Sequence, residues 1–216
     1  MYKRQAVLTL AGTSRDLAVL AERAARHDPA TPVRLVASRS VLAAFVTTPF
    51  ECLGMRATRL AEPVSADLDV VVEAVGLAAR ARGAQDGTLR LPPRLPDITW
   101  AQPLPPRGGW RDEARVPASQ LATQVAADSE DFRLQATQVA AGRGAAAALE
   151  RVAEGLWSAA MVGDAPARLA HAADYLGFVP ETGEAVLRAA GAWRRLDTAL
   201  GVTVARVSDP LGLFVR

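Results

Sequence analysis

A proline-rich segment near the middle of the chain limits the fold more than any other feature of the sequence. Leu91–Pro117 holds seven of the chain's 14 prolines. Because proline fixes φ and has no backbone N–H to donate, we expect this segment to be extended or turning and not the interior of a helix or a sheet. A chain of 216 residues is long enough for two small domains. We therefore predict domains at residues 1–91 and 118–216, joined by a strap at residues 92–117.

Two tryptophans, Trp100 and Trp110, indicate that the strap is packed against a domain. Each has a large apolar ring to bury, which a solvated linker would leave in water. The alternative is a proline-rich ligand for an aromatic groove, because the sequence Leu-Pro-Pro-Arg occurs at 91–94 and again at 104–107. We predict the packed strap and keep the recognition segment as the alternative.

Alternating and helical apolar patterns in residues 1–91 predict a domain with a mixed sheet and two helices. The predicted elements are, in chain order, a strand at Gln5–Leu10, a helix from Thr13 or Ser14 to Arg26, strands at Val33–Ala37, Val41–Thr47, Cys52–Leu60 and Leu68–Val72, a helix at Glu73–Arg82 and a short strand at Gly87–Leu91.

The apolar pattern of residues 118–216 predicts a mainly helical domain that ends in a β-hairpin. The predicted fold class of the whole chain is therefore α+β. The predicted helices are Ser119–Ala141, Ala145–Met161, Ala165–Leu176 and Thr182–Ala190, followed by a hairpin of Trp193–Thr198 and Val202–Val207. The hexapeptide Ala-Thr-Gln-Val-Ala-Ala occurs at 122–127 and 136–141. Since fourteen residues make about four helical turns, both copies lie on one helix face, which leaves homodimerisation open.

The sequence contains no catalytic, phosphate-binding or metal-binding motif. The glycine patterns of nucleophile elbows and phosphate loops are absent. One cysteine and two histidines that are distant in sequence do not make a zinc site, and Cys52 on a half-buried strand is predicted to be unreactive. We therefore predict no cofactor and no metal.

Two residue pairs keep an enzyme open as an alternative. His171 and Asp174 lie three residues apart on a predicted helix and could supply the base of a catalytic dyad. Asp67 and Asp69 share one face of a strand and could hold Mg²⁺. The simpler interpretation of both pairs is solvated surface charge. An enzyme would need a site assembled from these scattered residues.

Charge favours nucleic acid as a partner only for the front half of the chain. Residues 1–107 contain 14 basic and 10 acidic side chains, whereas residues 108–216 contain 11 and 13.

The composition, rich in Ala and Arg with a single Lys, is typical of a GC-rich bacterial genome. No uncharged apolar run is long enough to span a membrane, and the N-terminus lacks the pattern of a signal peptide. We therefore predict a cytoplasmic bacterial protein without a membrane partner.

The predicted order of elements in residues 4–91, β-α-β-β-β and then β-α-β, resembles the repeating unit of sliding-clamp domains. The apolar pattern of residues 50–60 and 68–81 carries this resemblance, although a ferredoxin-like sandwich would give much the same order. Clamps line their DNA-facing helices with basic residues. The resemblance therefore implies nucleic-acid-binding roles for Arg15, Arg23 and Arg26, which lie within about 80° on one face of the first helix. Arg80 and Arg82 lie on the second helix.

The C-terminal half resembles a winged-helix unit, with helices at 145–161, 165–176 and 182–190 before the hairpin at 193–207. In that family one helix enters the major groove and the hairpin contacts the DNA backbone. The resemblance implies a second set of nucleic-acid-binding residues on the hairpin, namely Arg194, Arg195 and Arg206. However, residues 144–216 contain seven basic and eight acidic side chains, which suits a protein-docking module better.

The chain as a whole also resembles uncharacterised proteins of GC-rich bacteria with a strap of the Leu-Pro-Pro-Arg-Gly-Gly-Trp type, found here at 104–110. That resemblance implies no function. The main prediction is a non-catalytic binding or regulatory protein, with a protein partner or self-association expected and nucleic acid as a possible partner. An enzyme with a scattered site and a structural homo-oligomeric subunit are the alternatives.

Overall fold

The structure, a computed structural model, describes residues 6–26, 28–139 and 144–207. The chain forms two compact units. Unit 1 takes its residues from 1–48 and 53–104, and unit 2 takes its residues from 49–52 and 105–216. The chain passes from unit 1 to unit 2 between Leu104 and Pro105, within the strap.

In unit 1 the predicted order of strands and helices is confirmed as far as residue 90, whereas the short strand at Arg94–Leu95 and the 3₁₀ turn that follows it were not predicted. Its described elements are β1 (Val7–Thr9), α1 (Arg15–Ala25), β2 (Pro32–Ser38), β3 (Val41–Thr47), β4 (Leu53–Arg59), β5 (Leu68–Glu73), α2 (Ala74–Arg82), β6 (Thr88–Arg90), β7 (Arg94–Leu95) and a 3₁₀ turn at Asp97–Thr99. Five strands form an antiparallel sheet in the order β7-β5-β2-β3-β4, and β1 pairs with β6.

The two helices of unit 1 lie side by side and pack on the sheet. Leu17 and Leu20 of α1 and Leu77 of α2 are fully buried. On β3, alternation places Leu42 and Val46 on one face and Phe45 on the other. Both faces of the sheet therefore carry buried side chains, with the cluster around Phe45 on one of them.

The first part of the strap packs in unit 1. Trp100 lies in a buried cluster with Phe45, Leu53 and Val71, and its indole N–H donates to the carbonyl of Gln102 at 2.6 Å. With only 7% of its surface exposed, this tryptophan confirms that the strap is packed here. The indole obtains both the apolar surroundings and the hydrogen-bond acceptor that a buried tryptophan needs.

Unit 2 combines helices with antiparallel strands, and residues 111–117 of the strap form the first of these strands, at an edge of the sheet. Its described elements are β8 (Arg111–Pro117), α3 (Ala118–Val139), α4 (Ala145–Ser158), β9 (Ala160–Val162), β10 (Ala165–Pro166), α5 (Arg168–Tyr175), β11 (Glu184–Ala190), β12 (Trp193–Thr198) and β13 (Gly201–Arg206). The sheet order within the unit is β13-β12-β11-β8, and β9 pairs with β10. The end of the predicted helix Ser119–Ala141 lies outside the described residues.

The helix predicted at Thr182–Ala190 is wrong, because this segment forms strand β11. Its sequence contains Glu, Leu, Arg and three alanines, which favour helix locally. However, β11 lies between β8 and β12, so both neighbours satisfy its backbone, and Ala185, Leu187 and Ala189 on one face are buried. Tertiary pairing thus overrides a weak local preference. Without this helix, the three-helix order of a winged-helix unit is not present.

The predicted α+β class is confirmed, and the predicted C-terminal hairpin is formed by β12 and β13. Within the described ranges, no helix is long and apolar enough to cross a membrane.

Candidate nucleic-acid interface

The helix pair of unit 1 is held together by a buried hydrogen bond. Ser14 stands at the N-cap of α1, but its hydroxyl makes no capping bond and instead donates to the carbonyl of Ala81 in α2 at 2.6 Å. The hydroxyl of Thr13 accepts from the backbone N–H of Arg15 at 3.1 Å. The two polar residues predicted as alternative caps therefore have different roles, and the one at Ser14 fixes α1 against α2.

Both acidic side chains of the helix pair are already engaged by arginines. Arg82 makes two bonds to the carboxylate of Glu22, at 2.5 and 2.7 Å. This hydrogen-bonded guanidinium holds the pKa of Glu22 below its ordinary value. The carboxylate of Asp16 pairs with Arg56 of β4. The two negative charges of α1 are thus paired with Arg82 and Arg56.

The predicted arginines of α1 are left without carboxylate partners. Arg15 and Arg26 are exposed and Arg23 is half-buried. Among the described residues, no carboxylate lies within 4.0 Å of any of these three guanidiniums. Arg26 acts on Glu22 only at longer range, beside the direct contact from Arg82. We call the surface of these three arginines the α1 basic face.

The predicted hairpin arginines of unit 2 are placed differently. Arg194 pairs with Asp164, with one contact at 2.6 Å, and also donates to the carbonyls of Gly191 and Trp193. Arg195 pairs with Asp197, and its guanidinium lies 5.3 Å from the centre of the Trp110 ring. The charges of both arginines are therefore engaged within unit 2.

Arg206 lines a polar cleft of about 850 Å³ in unit 2 and has no carboxylate within 4.0 Å among the described residues. In the same cleft, Arg168 pairs with Glu51 at 2.8 Å and with Glu154 at 2.7 Å. Its charged lining consists of Glu51, Glu154, Asp164, Arg168, Arg194 and Arg206. With three acids and three arginines, the cleft has no surplus charge to attract an ion.

The residues considered for an enzyme site lie in separate units, and each candidate pair has one member with a structural partner and one exposed member. In unit 1, the carboxylate of Asp69 accepts two bonds from Arg34, both at 2.8 Å, and Asp67 is exposed. In unit 2, His171 contacts Asp128 at 3.0 Å, and Asp174 is exposed. The described chain holds no group of three side chains able to bind a metal ion.

The pairing of the buried Asp128 with His171 was not predicted from the sequence. Asp128 shares one face of α3 with the buried residues Leu121 and Val125, at spacings of i+7 and i+3. An acidic residue on the apolar face of a helix indicates that its side chain is buried and needs a polar partner. That pattern could have pointed to Asp128. That partner, His171, is separated from it by 43 residues.

Cys52 is buried, and its surroundings explain why it is expected to be unreactive. Only 2% of its surface is exposed, and burial raises the pKa of its thiol to about 12. Because the thiolate is the reactive form, we expect labelling by a maleimide at neutral pH to be at least about a hundredfold slower in the native protein than in urea. Mass spectrometry of timed samples measures the two rates, and equal rates would contradict this expectation.

Two family models match the sequence, and they meet at the boundary between the units. Residues 1–102 match the domain of unknown function DUF8010, and residues 105–210 match the domain of unknown function DUF8185. No curated protein matches the chain.

Solved structures of bacterial DNA polymerase subunits share the fold. A DNA polymerase sliding clamp from Caulobacter crescentus is 11% identical, with a TM-score of 0.54 over 97% of this chain and 69% of that one. The DNA polymerase III beta subunits from Pseudomonas aeruginosa and Thermotoga maritima are each 12% identical, with TM-scores of 0.52 and 0.53 over 94% of this chain and 65% and 64% of theirs. The chain thus spans about two thirds of the length of these subunits. At such low identity the likeness concerns the fold: the chain carries matches to DUF8010 and DUF8185 and has the fold of bacterial sliding clamps.

Proposed function

We propose that this chain is a non-catalytic binding protein whose α1 basic face contacts the phosphate backbone of nucleic acid. The observation that carries the proposal is the absence of carboxylate partners around Arg15, Arg23 and Arg26 in the described chain, although both acids of the helix pair are engaged by other arginines. Arginines that are free of internal partners can pair with phosphate without first breaking an ion pair.

The chemistry of this surface supports binding without sequence preference. Phosphate contacts hold and orient a nucleic acid but carry no sequence information. The solved structures with this fold are named as sliding clamps and subunits of a DNA polymerase, which makes DNA the first nucleic acid to test. A cytoplasmic location remains a prediction from the sequence.

The test is fluorescence anisotropy of labelled single- and double-stranded DNA with the full chain at 50 and 200 mM salt. Neutralising about three phosphates predicts that affinity falls by about 40-fold for duplex DNA and about 20-fold for single-stranded DNA between these two concentrations. The charge-reversal variant Arg15→Glu/Arg26→Glu is expected to weaken binding at 50 mM salt by about tenfold or more. The two positions lie eleven residues apart, within about 20° on α1.

A matched control separates a local surface from a simple change in net charge. Arg107→Glu/Arg151→Glu alters charge equally at two exposed arginines of unit 2 that have no carboxylate within 4.0 Å in the described chain. We expect this control to bind DNA within about twofold of the unmodified protein. Equal losses in the two variants would overturn the assignment to the α1 basic face. No binding at 50 mM salt would exclude nucleic acid, leaving a protein partner or self-association.

A further inference from the structure

A second group of arginines in unit 1 lines a pocket that lies at the C-terminal end of α2. Its volume is about 450 Å³. Arg80 comes from the helix, and Arg90 comes from β6. The lining residues are Ala79, Arg80, Gly83, Gln85, Thr88 and Arg90. Two guanidiniums, one amide and one hydroxyl thus share one concavity.

Local backbone structure fixes the strand side of this pocket. Leu89 is fully buried and pairs with Leu8 of β1, so alternation along β6 places Thr88 and Arg90 on the opposite face. The turn before β6 requires glycine, because Gly87 has a φ of +73° and a Cβ there would lie 2.5 Å from the carbonyl oxygen of Leu10. The constrained turn therefore fixes the backbone that leads into Thr88 and Arg90, whose side chains are exposed.

The charge inside the pocket is uncompensated. No carboxylate lines it, and neither Arg80 nor Arg90 has a carboxylate within 4.0 Å in the part of the chain that the structure describes. Elsewhere in unit 1, four arginines do have acidic partners, namely Arg34, Arg56, Arg82 and Arg94. Arg82, two residues from Arg80, pairs with Glu22 and does not line the pocket.

We propose that this pocket binds a phosphate group. Guanidinium forks match phosphate oxygens and form charge-assisted hydrogen bonds with them, and Thr88 and Gln85 add neutral donors at the same concavity. An anion also relieves the repulsion between two cations that face one space. The phosphate group can belong to a small molecule or to a nucleic-acid end. The proposal goes beyond the DNA-backbone role of the α1 basic face and uses different residues.

The test is a titration of the ¹⁵N-labelled full chain with pyrophosphate at 50 mM salt, followed by amide chemical shifts. Saturating shifts are expected at Gln85, Thr88 and Arg90. The neutralised variant Arg80→Gln/Arg90→Gln should bind pyrophosphate at least about tenfold more weakly. Arg107→Gln/Arg151→Gln, the matched control in unit 2, should bind as the unmodified protein does. Unaltered spectra outside the pocket show that each variant is folded.

A second arm identifies the source of the phosphate group. A single-stranded oligonucleotide with a 5′-phosphate that shifts the same amides more tightly than its unphosphorylated form supports recognition of a nucleic-acid end. Pyrophosphate shifts without that difference support a small phosphorylated ligand. Failure of both probes to shift these amides, or equal pyrophosphate affinity in Arg80→Gln/Arg90→Gln, would overturn the pocket.

The two proposals can fail separately. The Arg15→Glu/Arg26→Glu protein keeps both pocket arginines, so we expect it to retain pyrophosphate binding while losing DNA affinity. Saturating pyrophosphate shifts in a chain that binds no DNA would support the pocket and reject the α1 basic face. Loss of pyrophosphate binding in Arg15→Glu/Arg26→Glu alone would contradict the assignment to Arg80 and Arg90.

Discussion

Replacing Asp128 by alanine is expected to destabilise unit 2 by about 3 kcal/mol. Asp128 and His171 are both buried, and their side chains meet at 3.0 Å between α3 and α5. The other carboxylate oxygen accepts from the amide of Gln124 at 2.7 Å. Truncation therefore leaves the buried imidazole without its acceptor, whereas the exposed amide of Gln124 can bond to water, and the cost is mainly that of the imidazole left behind.

Hydrogen exchange resolved by mass spectrometry measures this effect within unit 2 alone. We expect faster exchange in the peptides that contain α5 and the end of α3. Asp128→Asn keeps the shape and one hydrogen-bonding oxygen, so its loss should be smaller. Asp131→Ala, at an exposed position of the same helix, is the matched control and should change stability by less than about 0.5 kcal/mol. Indistinguishable exchange in Asp128→Ala and Asp131→Ala would show that the buried pair contributes little.

Replacing Gly201 by alanine is expected to destabilise the same unit by about 1–3 kcal/mol. A Cβ at Gly201 would lie 2.5 Å from two carbons of the Phe178 ring, well inside ordinary contact distance. Phe178 is only 4% exposed, so the ring cannot turn into solvent without losing its packing. The turn cannot easily shift either, because the Thr198 hydroxyl accepts from the backbone N–H groups of both Leu200 and Gly201 at 3.1 Å.

Gly155 supplies a control for the same chemical change. It lies inside α4, and a Cβ there would meet nothing within 4 Å, so Gly155→Ala should stabilise the chain by about 0.5–1 kcal/mol. Hydrogen exchange in β12 and β13 gives the readout for Gly201→Ala. Adding Phe178→Leu should make the double variant less destabilised than the sum of the two single changes. Strict additivity, or an unchanged Gly201→Ala protein, would remove the ring contact as the cause.

The fold of unit 1 could be predicted because its patterns are local and strong. Val41–Thr47 is a β-branched and apolar run that forms β3 with the predicted bounds, and Glu73–Arg82 ends at Gly83 as a helix should. The spacing of Arg15, Arg23 and Arg26 also placed them on one face of a helix, and this required no knowledge of the tertiary structure. What spacing could not show is which arginines lack acids, because Arg82 and Arg56 meet Glu22 and Asp16 across 60 and 40 residues.

Unit 2 shows the limit of local patterns. The histidine at position 171 was paired with Asp174 because the two are close in sequence, whereas packing of α3 on α5 gives it Asp128. The predicted hairpin correctly placed Arg194 and Arg195 on its first strand. Their charges are engaged because Arg194 pairs with Asp164 and Arg195 pairs with Asp197. Contacts between distant segments were therefore the missing information in each case.

By itself, the sequence determined the α+β class, the elements of unit 1 from β1 to β6, the packed Trp100 and the C-terminal hairpin. Each of these depends on apolar periodicity, β-branched runs or proline, which act within a few residues. Only the tertiary structure decided that Glu184–Ala190 is a strand and which arginines keep free charge. Helix propensities differ by less than about 1 kcal/mol per residue, so pairing with β8 and β12 outweighs them. Ion pairs likewise depend on which distant chain segments the core brings within about 4 Å.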